Sequence, residues 1–296
     1  MTKREFRSGQ VAIVGRPNVG KSTLLNRLVG QKISITARKP QTTRHAIRGI
    51  ASSATAQCIF VDTPGFQPSV VNALGGVMNR AVAAALADVD VIVLVIVAGR
   101  QTSDDEAIIR LLPRDKPLIV ALNKIDRIAQ RSQLLPQIER LSDRLPAHAF
   151  VPVSAENGYQ VDSLLREIER ALPKAAPMFP SDQLTDRDER FFAAEFIREK
   201  IFRALGDELP YATAVTIDRF EELKGLRRIH ATIFVEKPSH RAIVIGDHGS
   251  RLKAIASSAR RDLEHLFTAK VYLQIWVKVR RGWSDDRAQL KRFGYA

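Results

Sequence analysis

One short run limits the fold of this chain more than any other: Gly15-Arg16-Pro17-Asn18-Val19-Gly20-Lys21-Ser22 follows the apolar stretch Val11–Val14 and opens onto a helical pattern, Lys21–Val29. A G-x-x-x-x-G-K-[ST] run between strand and helix is built to wrap phosphate. Its glycines let backbone amides close on the anion and the helix N-terminus adds partial positive charge. Lys21 then reaches the outer phosphates and the Ser22 hydroxyl is free to ligate Mg²⁺. The expected phosphate contacts are Asn18, Val19, Gly20, Lys21, Ser22 and Thr23.

A loop of this kind requires strand–helix alternation, and the chain supplies it. Val11–Val14, Ile59–Val61, Val91–Val97, Leu118–Leu122 and Ala149–Val153 are short, β-branched and apolar, as buried parallel strands are. Helical patterns fall at Lys21–Val29, Asp104–Leu112, Gln133–Leu145 and Val161–Leu172. The expectation is a doubly wound α/β domain over residues 8–172, with its ligand beyond the carboxyl ends of the strands. Pro173, Pro177 and Pro180 then interrupt the pattern, so 173–184 reads as a linker. Residues 185–296 read as a smaller α+β domain: a helix carrying Phe192, Phe196, Ile197, Ile201 and Leu205, strands Ala212–Phe220 and Arg228–Val235, a helix Arg251–Phe267 and a strand Val271–Val279. The aromatic stripe of the first of these helices is expected in the core.

Three more loops carry chemistry. Asp62-Thr63-Pro64-Gly65 ends a strand, placing Asp62 to hold Mg²⁺ and the Gly65 amide to meet a γ-phosphate. Asn123-Lys124-Ile125-Asp126 ends the strand Leu118–Leu122, and a carboxylate at Asp126 accepts from both the N1–H and the exocyclic amine of guanine. Adenine offers no such pair, and a desolvated carboxylate left unpaired makes the wrong base costly. Ser154-Ala155 supplies a second base-edge loop. A small-molecule kinase would keep the phosphate loop but needs an acceptor pocket for which the chain offers no residues.

The 46 Lys and Arg outnumber the 32 Asp and Glu, leaving +14 and a pI near 10.2, which calls for a polyanionic partner such as RNA or an acidic membrane face. The excess is concentrated between Leu223 and Arg261, where Lys224, Arg227, Arg228, Lys237, Arg241, Arg251, Lys253, Arg260 and Arg261 face only Glu236 and Asp247. The polar stretch Met1–Gln10 lacks the apolar core of a secretory signal, and the longest aliphatic run, Val91–Ala98, falls well short of the about 20 residues of a membrane span. A cytoplasmic protein with its only cysteine, Cys58, buried is expected. The scattered histidines form no metal-ligand cluster.

Within the basic stretch, Ile243-Val244-Ile245-Gly246-Asp247-His248-Gly249-Ser250-Arg251-Leu252-Lys253 resembles the centre of a KH module, whose GxxG loop between two helices lets backbone amides approach single-stranded RNA phosphates. On the motifs together, the chain resembles the translation-factor-related GTPases and, through its second domain, the Era family, bacterial GTPases of small-subunit ribosome assembly. The resemblance extends from the phosphate loop through Arg38-Lys39-Pro40-Gln41-Thr42-Thr43-Arg44-His45 to Gly282-Trp283-Ser284-Asp285-Asp286.

It implies a GTP-hydrolysing switch, acting as a monomer, that binds GTP or GDP with Mg²⁺ held by Ser22, Asp62 and a switch threonine, Thr43 by alignment with Thr42 as the alternative. Lys21, Thr43, Gly65 and Asn18 are the implied catalytic group. The RNA contacts would be Arg241, Gly246, Asp247, His248, Gly249, Arg251 and Lys253, and the partner the 3′ end of small-subunit ribosomal RNA within the small ribosomal subunit. Where Ras-like GTPases carry a water-orienting glutamine, this chain has Phe66. Era-like proteins share that replacement, in some of their relatives an asparagine matching Asn18 helps bind a K⁺ ion that offsets phosphate charge, and Gln67 is the alternative means of orienting water. A competing reading is a membrane-surface GTPase, peripheral on the inner membrane, whose second domain reads acidic lipids.

Overall fold

The computed structural model describes residues 5–37, 39, 42–66, 73–206 and 209–295, with Arg131 described by its backbone alone. The chain divides into two compact units: the first holds 1–36, 43–70 and 78–186, and the second 187–296 with the short segments 37–42 and 71–77.

The first unit is a six-stranded sheet. Its strands are β1 (Arg7–Val14), β2 (Ile47–Ser52), β3 (Ala56–Asp62), β4 (Val91–Val97), β5 (Leu118–Asn123) and β6 (Ala149–Pro152), in the order β2-β3-β1-β4-β5-β6. All neighbours are parallel except the edge pair β2 and β3. Strands covered on both faces must be apolar throughout, and β4, Val-Ile-Val-Leu-Val-Ile-Val, is the extreme case. Against one face pack α1 (Lys21–Val29) and α5 (Val161–Ala171), through Leu24, Leu28, Leu164 and Ile168. Against the other pack α2 (Ala73–Ala87), α3 (Ser103–Ile109) and α4 (Leu135–Ser142), where Val82, Leu86, Ile108 and Leu141 meet Ala12, Val14, Ile92, Leu94 and Val120.

This is the expected doubly wound arrangement, and the strand bounds differ from expectation by a few residues at most, β1 excepted, which starts earlier at Arg7. The helix expected over Gln133–Leu145 is shorter, because a 3₁₀ turn at Arg131–Leu134 precedes it and Pro136 fixes its first turn. Cys58 is buried as expected, and burial pushes its thiol up to about 12.

The proline-rich segment after α5 lies along the edge of the first unit. Ser8 N donates to Pro173 O at 3.2 Å, Ile50 N to Leu184 O at 2.8 Å, and the Gln57 side chain accepts from Met178 N and Phe179 N at 2.7 and 2.9 Å. Proline keeps the segment out of helix and sheet, but its remaining polar groups still need partners, and β1, β2 and β3 supply them.

The second unit runs α6 (Glu189–Ala204), β7 (Thr213–Leu223), β8 (Leu226–Val235), α7 (Pro238–Ile245), α8 (Ser250–Phe267), β9 (Lys270–Val279) and α9 (Arg287–Arg292). Its sheet, β7-β8-β9, pairs β7 with β8 antiparallel and β8 with β9 parallel. Helices α6, α7 and α8 cover one face, burying Ile229, Ala231, Ile233, Val271 and Val277. The stripe Phe192, Phe196, Ile197 and Ile201 is core, as its spacing predicts. Less expected are the buried charges of α6: Arg198 donates to Glu195 Oε1 at 2.8 Å and Oε2 at 2.5 Å, and the buried Glu199 accepts from the exposed Arg203 at 2.8 Å.

Candidate functional site

Parallel strands bring the motif loops to one end of the first sheet. Ile13 lies in register with Asp62, Val97 with Asn123, and Leu122 with Pro152, so the loops leaving β1, β3, β5 and β6 share one edge. Lys21, at the start of α1, is buried, and its ammonium donates to Gly15 O at 2.9 Å and Arg16 O at 3.0 Å. Burial lowers its pKa to about 8, while the Asp62 carboxylate opposes that shift.

Asp62 is fully buried and collects hydroxyls. Ser22 Oγ donates to its Oδ2 at 2.8 Å and Ser34 Oγ at 2.9 Å, while Thr43 Oγ1 lies 2.7 Å from Ser22 Oγ. The second carboxylate oxygen, Oδ1, is buried without a hydrogen-bond partner. An orphaned carboxylate oxygen beside two hydroxyls suits a hard divalent cation that takes oxygen ligands and keeps several waters, so Ser22, Thr43 and Asp62 are the residues that can hold Mg²⁺. When bound, Mg²⁺ neutralises phosphate charge. The alternative Thr42 points elsewhere, its hydroxyl donating to Lys39 O at 2.7 Å. Ser34 belongs to no motif, and its role in holding the Asp62 carboxylate shows only in three dimensions.

Gly65 is required by packing: a Cβ there would lie 2.8 Å from the Pro17 backbone. Phe66 packs against the hydrophobic core of the first unit, which gives the ring a structural job. Gln67, with Arg38, Pro40 and Gln41 of the first switch, lies outside the described residues.

The base-edge loops are joined to the phosphate loop by one side chain. Asn123 Nδ2 donates to Val19 O at 2.8 Å, and its Oδ1 accepts from Ala155 N at 2.9 Å. Gly20 leaves room for it, since a Cβ at that position would sit 2.3 Å from Asn123 Nδ2. Asp126 accepts from Ser154 Oγ at 2.5 Å, so the two base loops also hold each other. Lys124 and Asn18 both adopt left-handed backbone, and Lys124 Nζ donates to Asn18 O. Thr23 sits in the first turn of α1. Sequence reasoning also missed an anchor for the phosphate loop: Arg16 Nε donates at 3.2 Å to Asp105, a buried carboxylate that forms a capping box with Thr102 at the start of α3.

In the second unit, Gly246 and Gly249 bound the loop between α7 and α8, both with positive φ. At Gly246 a Cβ would meet Arg251 Cβ at 2.7 Å; at Gly249 it would meet nothing, leaving open backbone toward solvent. Asp247 and His248 side chains are 93% and 95% exposed. Arg241 and Lys253 are exposed beside the loop, whereas Arg251 donates to Ile243 O at 2.6 Å and closes the end of α7. The basic stretch is not one continuous anion surface: Arg227 is turned to Glu189 and Glu222, at 2.5 and 2.8 Å, and Arg260 pairs with Glu264 at 3.3 Å.

A phosphate loop, a magnesium-type oxygen cluster and the Asn123-Lys124-Ile125-Asp126 loop on a doubly wound sheet, followed by a GxxG module, define a guanine-nucleotide hydrolase carrying a KH domain. Family models agree, matching residues 10–124 to the 50S ribosome-binding GTPases and 208–284 to the KH domain. GTPase Era of Nitrosomonas eutropha is 50% identical over 295 residues, covering 100% of both chains, and that of Pseudomonas aeruginosa is 49% identical over 290 residues, covering 98% of this chain and 95% of its own. Two solved structures align over 98% of this chain. A point variant of Aquifex aeolicus Era bound to GDP·AlF4⁻ has TM-score 0.94 at 39% identity and is covered over 100% of its length. Era in complex with MgGDPNP and nucleotides 1506–1542 of 16S ribosomal RNA has TM-score 0.93 at 38% identity and is covered over 99%. The chain belongs to the Era family, and is a GTPase working with guanine nucleotide and Mg²⁺.

Proposed function

We propose that this chain is a GTP-driven RNA-binding switch that holds the 3′ end of small-subunit ribosomal RNA and assists assembly of the small ribosomal subunit. Residues 8–172 serve as the nucleotide domain, 173–184 as the connection and 185–296 as the RNA-binding domain. The observation that carries this is the open, left-handed backbone at Gly249 between α7 and α8, a place where a phosphate meets amides rather than a side chain. The complex of a relative with 16S RNA supports the choice of partner.

In the nucleotide domain, Lys21 and the loop amides take the phosphates, Thr43 and the Gly65 amide close on the γ-phosphate, and Asp126 with Ser154 and Ala155 takes the base. Asn18 is assigned a K⁺ ion that offsets phosphate charge in place of a water-orienting glutamine. The protein works as a monomer in the cytoplasm. Among the described residues no helix is long and apolar enough to cross a membrane. Single-turnover GTP hydrolysis with and without purified small ribosomal subunits tests the reading, together with filter binding to a 16S 3′-end oligonucleotide. Stimulation by subunits and RNA binding are expected; neither occurring would overturn it.

The charge of +14 also favours a second reading, peripheral attachment to the acidic inner-membrane face, for which sedimentation with anionic vesicles is the direct test.

A further inference from the structure

The helices of the second unit cover one face of its sheet. On the other face the register aligns Arg228 with Tyr272, His230 with Gln274 and Thr232 with Trp276, and sets Arg219 opposite His230 after a bulge in β7. One end of that face is closed by the C-terminal segment, where Phe293 packs on Phe234 with ring centroids 5.0 Å apart and Trp283 is fully buried. Beyond it Thr232 is fully buried and His230 and Gln274 are half-buried, while Tyr272 and Trp276 stand 50% and 40% exposed. His230 lies between them, its ring centroid 6.2 Å from Tyr272 and 5.5 Å from Trp276, so three aromatic rings form one platform. Beside it Arg219, Leu226, Arg228, His230 and Tyr272 line a depression of about 360 Å³. Arg219 and Arg228 share a single carboxylate, Glu221, while the other carboxylate on this side, Asp218, accepts from Thr232 Oγ1 at 2.6 Å.

We propose that this face is a second RNA contact, distinct from the GxxG loop, where unpaired bases stack on Tyr272 and Trp276 while Arg219 and Arg228 hold the adjoining phosphates. Aromatic rings on an open sheet face, flanked by guanidinium groups, suit single-stranded nucleic acid because every base has a π-face and every linkage an anion. A lipid surface would be met better by flexible lysines around a protruding apolar tip than by rings lying against a sheet. The proposal rests on the RNA-binding function assigned to the GxxG loop, and extends the RNA beyond the about four nucleotides such a loop clamps.

The two tryptophans make the test direct, since Trp276 is exposed and Trp283 is buried. The full chain is titrated with a single-stranded RNA of about 12 nucleotides, longer than one GxxG loop requires, and with an abasic strand of equal length. RNA should quench Trp276 and the abasic strand should not. Tyr272→Ala with Trp276→Ala should weaken RNA binding at least about tenfold, whereas Trp276→Phe, which keeps a ring, should stay within about threefold of wild type. GTP affinity and circular dichroism, unchanged in these variants, show that the fold survives.

Equal quenching by both strands, or wild-type RNA affinity in the folded double alanine variant, would overturn the proposal. So would Trp276 quenching by anionic vesicles in place of RNA, or self-association of wild type that the double variant loses. Gly249→Asp separates the two readings: RNA binding weakened by that change but untouched by the aromatic ones removes only the platform, and no RNA binding by wild type removes both.

Discussion

The nucleotide site and the GxxG loop are both assigned a phosphate partner, but they are built in opposite ways. In the first, the groups that support the phosphate and base loops are buried and already hydrogen-bonded within the protein: Lys21, Asp62 and Asn123 are 6%, 0% and 1% exposed. In the second, backbone lies open and the side chains at its tip stand in solvent. A small ligand is selected by groups fixed in place before it arrives, because their alternative is to remain desolvated and unpaired. A flexible polymer is held by surface that a chain of varying sequence can approach. Burial confers selectivity in one region and exposure confers reach in the other.

The largest effect that would break this contrast concerns Asp126. Replacement by Asn should lower GTP affinity by about 10³-fold or more and raise that for xanthosine triphosphate, whose C2 carbonyl accepts from the new amide. Nucleotide competition measures both, and an unchanged preference for GTP would mean that Asp126, exposed and held by the buried Ser154 hydroxyl, does not read the base. Next comes the buried ion pair of α6, the helix packed on α8. Glu195→Ala strands the buried Arg198 guanidinium and should destabilise the second unit by about 3–5 kcal/mol in denaturant titration while GTP affinity holds.

A crossed pair of variants sharpens the comparison further. Lys21→Ala should weaken GTP binding by about 1.5–3 kcal/mol and leave the RNA affinity of the nucleotide-free protein alone. Gly249→Asp should do the reverse, since a carboxylate about 4 Å from a phosphate costs about 1–4 kcal/mol between bulk water and a protein surface. Filter binding beside nucleotide titration reads the pair, and a variant that lowered both affinities would erase the distinction between the regions.

The smallest expected effect is the choice of cation. Hydrolysis should run a few-fold faster in KCl than in NaCl at matched ionic strength, and Asn18→Ala should remove the difference. Phe66→Ala should leave turnover largely intact. Equal rates in the two salts, with activity lost only in Gln67→Ala, would transfer the water-orienting task to Gln67.

What the sequence showed follows the same contrast. The nucleotide motifs were legible because each ends a strand too apolar to be anything but buried, so Lys21, Asp62, Asn123 and Asp126 could be placed on one edge before any coordinates. The strand Ile47–Ser52 was not, because as an edge strand it alternates weakly and carries Arg48 and Gly49. Helix Ala73–Ala87 is mostly small residues with two glycines, a pattern with little amphipathic signal. Ser34 and Asp105 were invisible because their partners, Asp62 and Arg16, are distant in sequence and neither lies in a motif. In the second unit, charge counting placed Arg227 on a surface from which two glutamates withdraw it, because composition counts charges without their partners.

The Asn123 bridge bears on how such a chain can change over generations. The side chain that joins Val19 to Ala155 is the same one that leaves no room for a Cβ at Gly20. Any lineage that enlarged position 20 would first have to shorten position 123, and in doing so would release the Ser154-Ala155 loop assigned to the base. Neither step is neutral without the other. The two positions are therefore expected to have drifted together or not at all, an epistatic lock set by a single carboxamide.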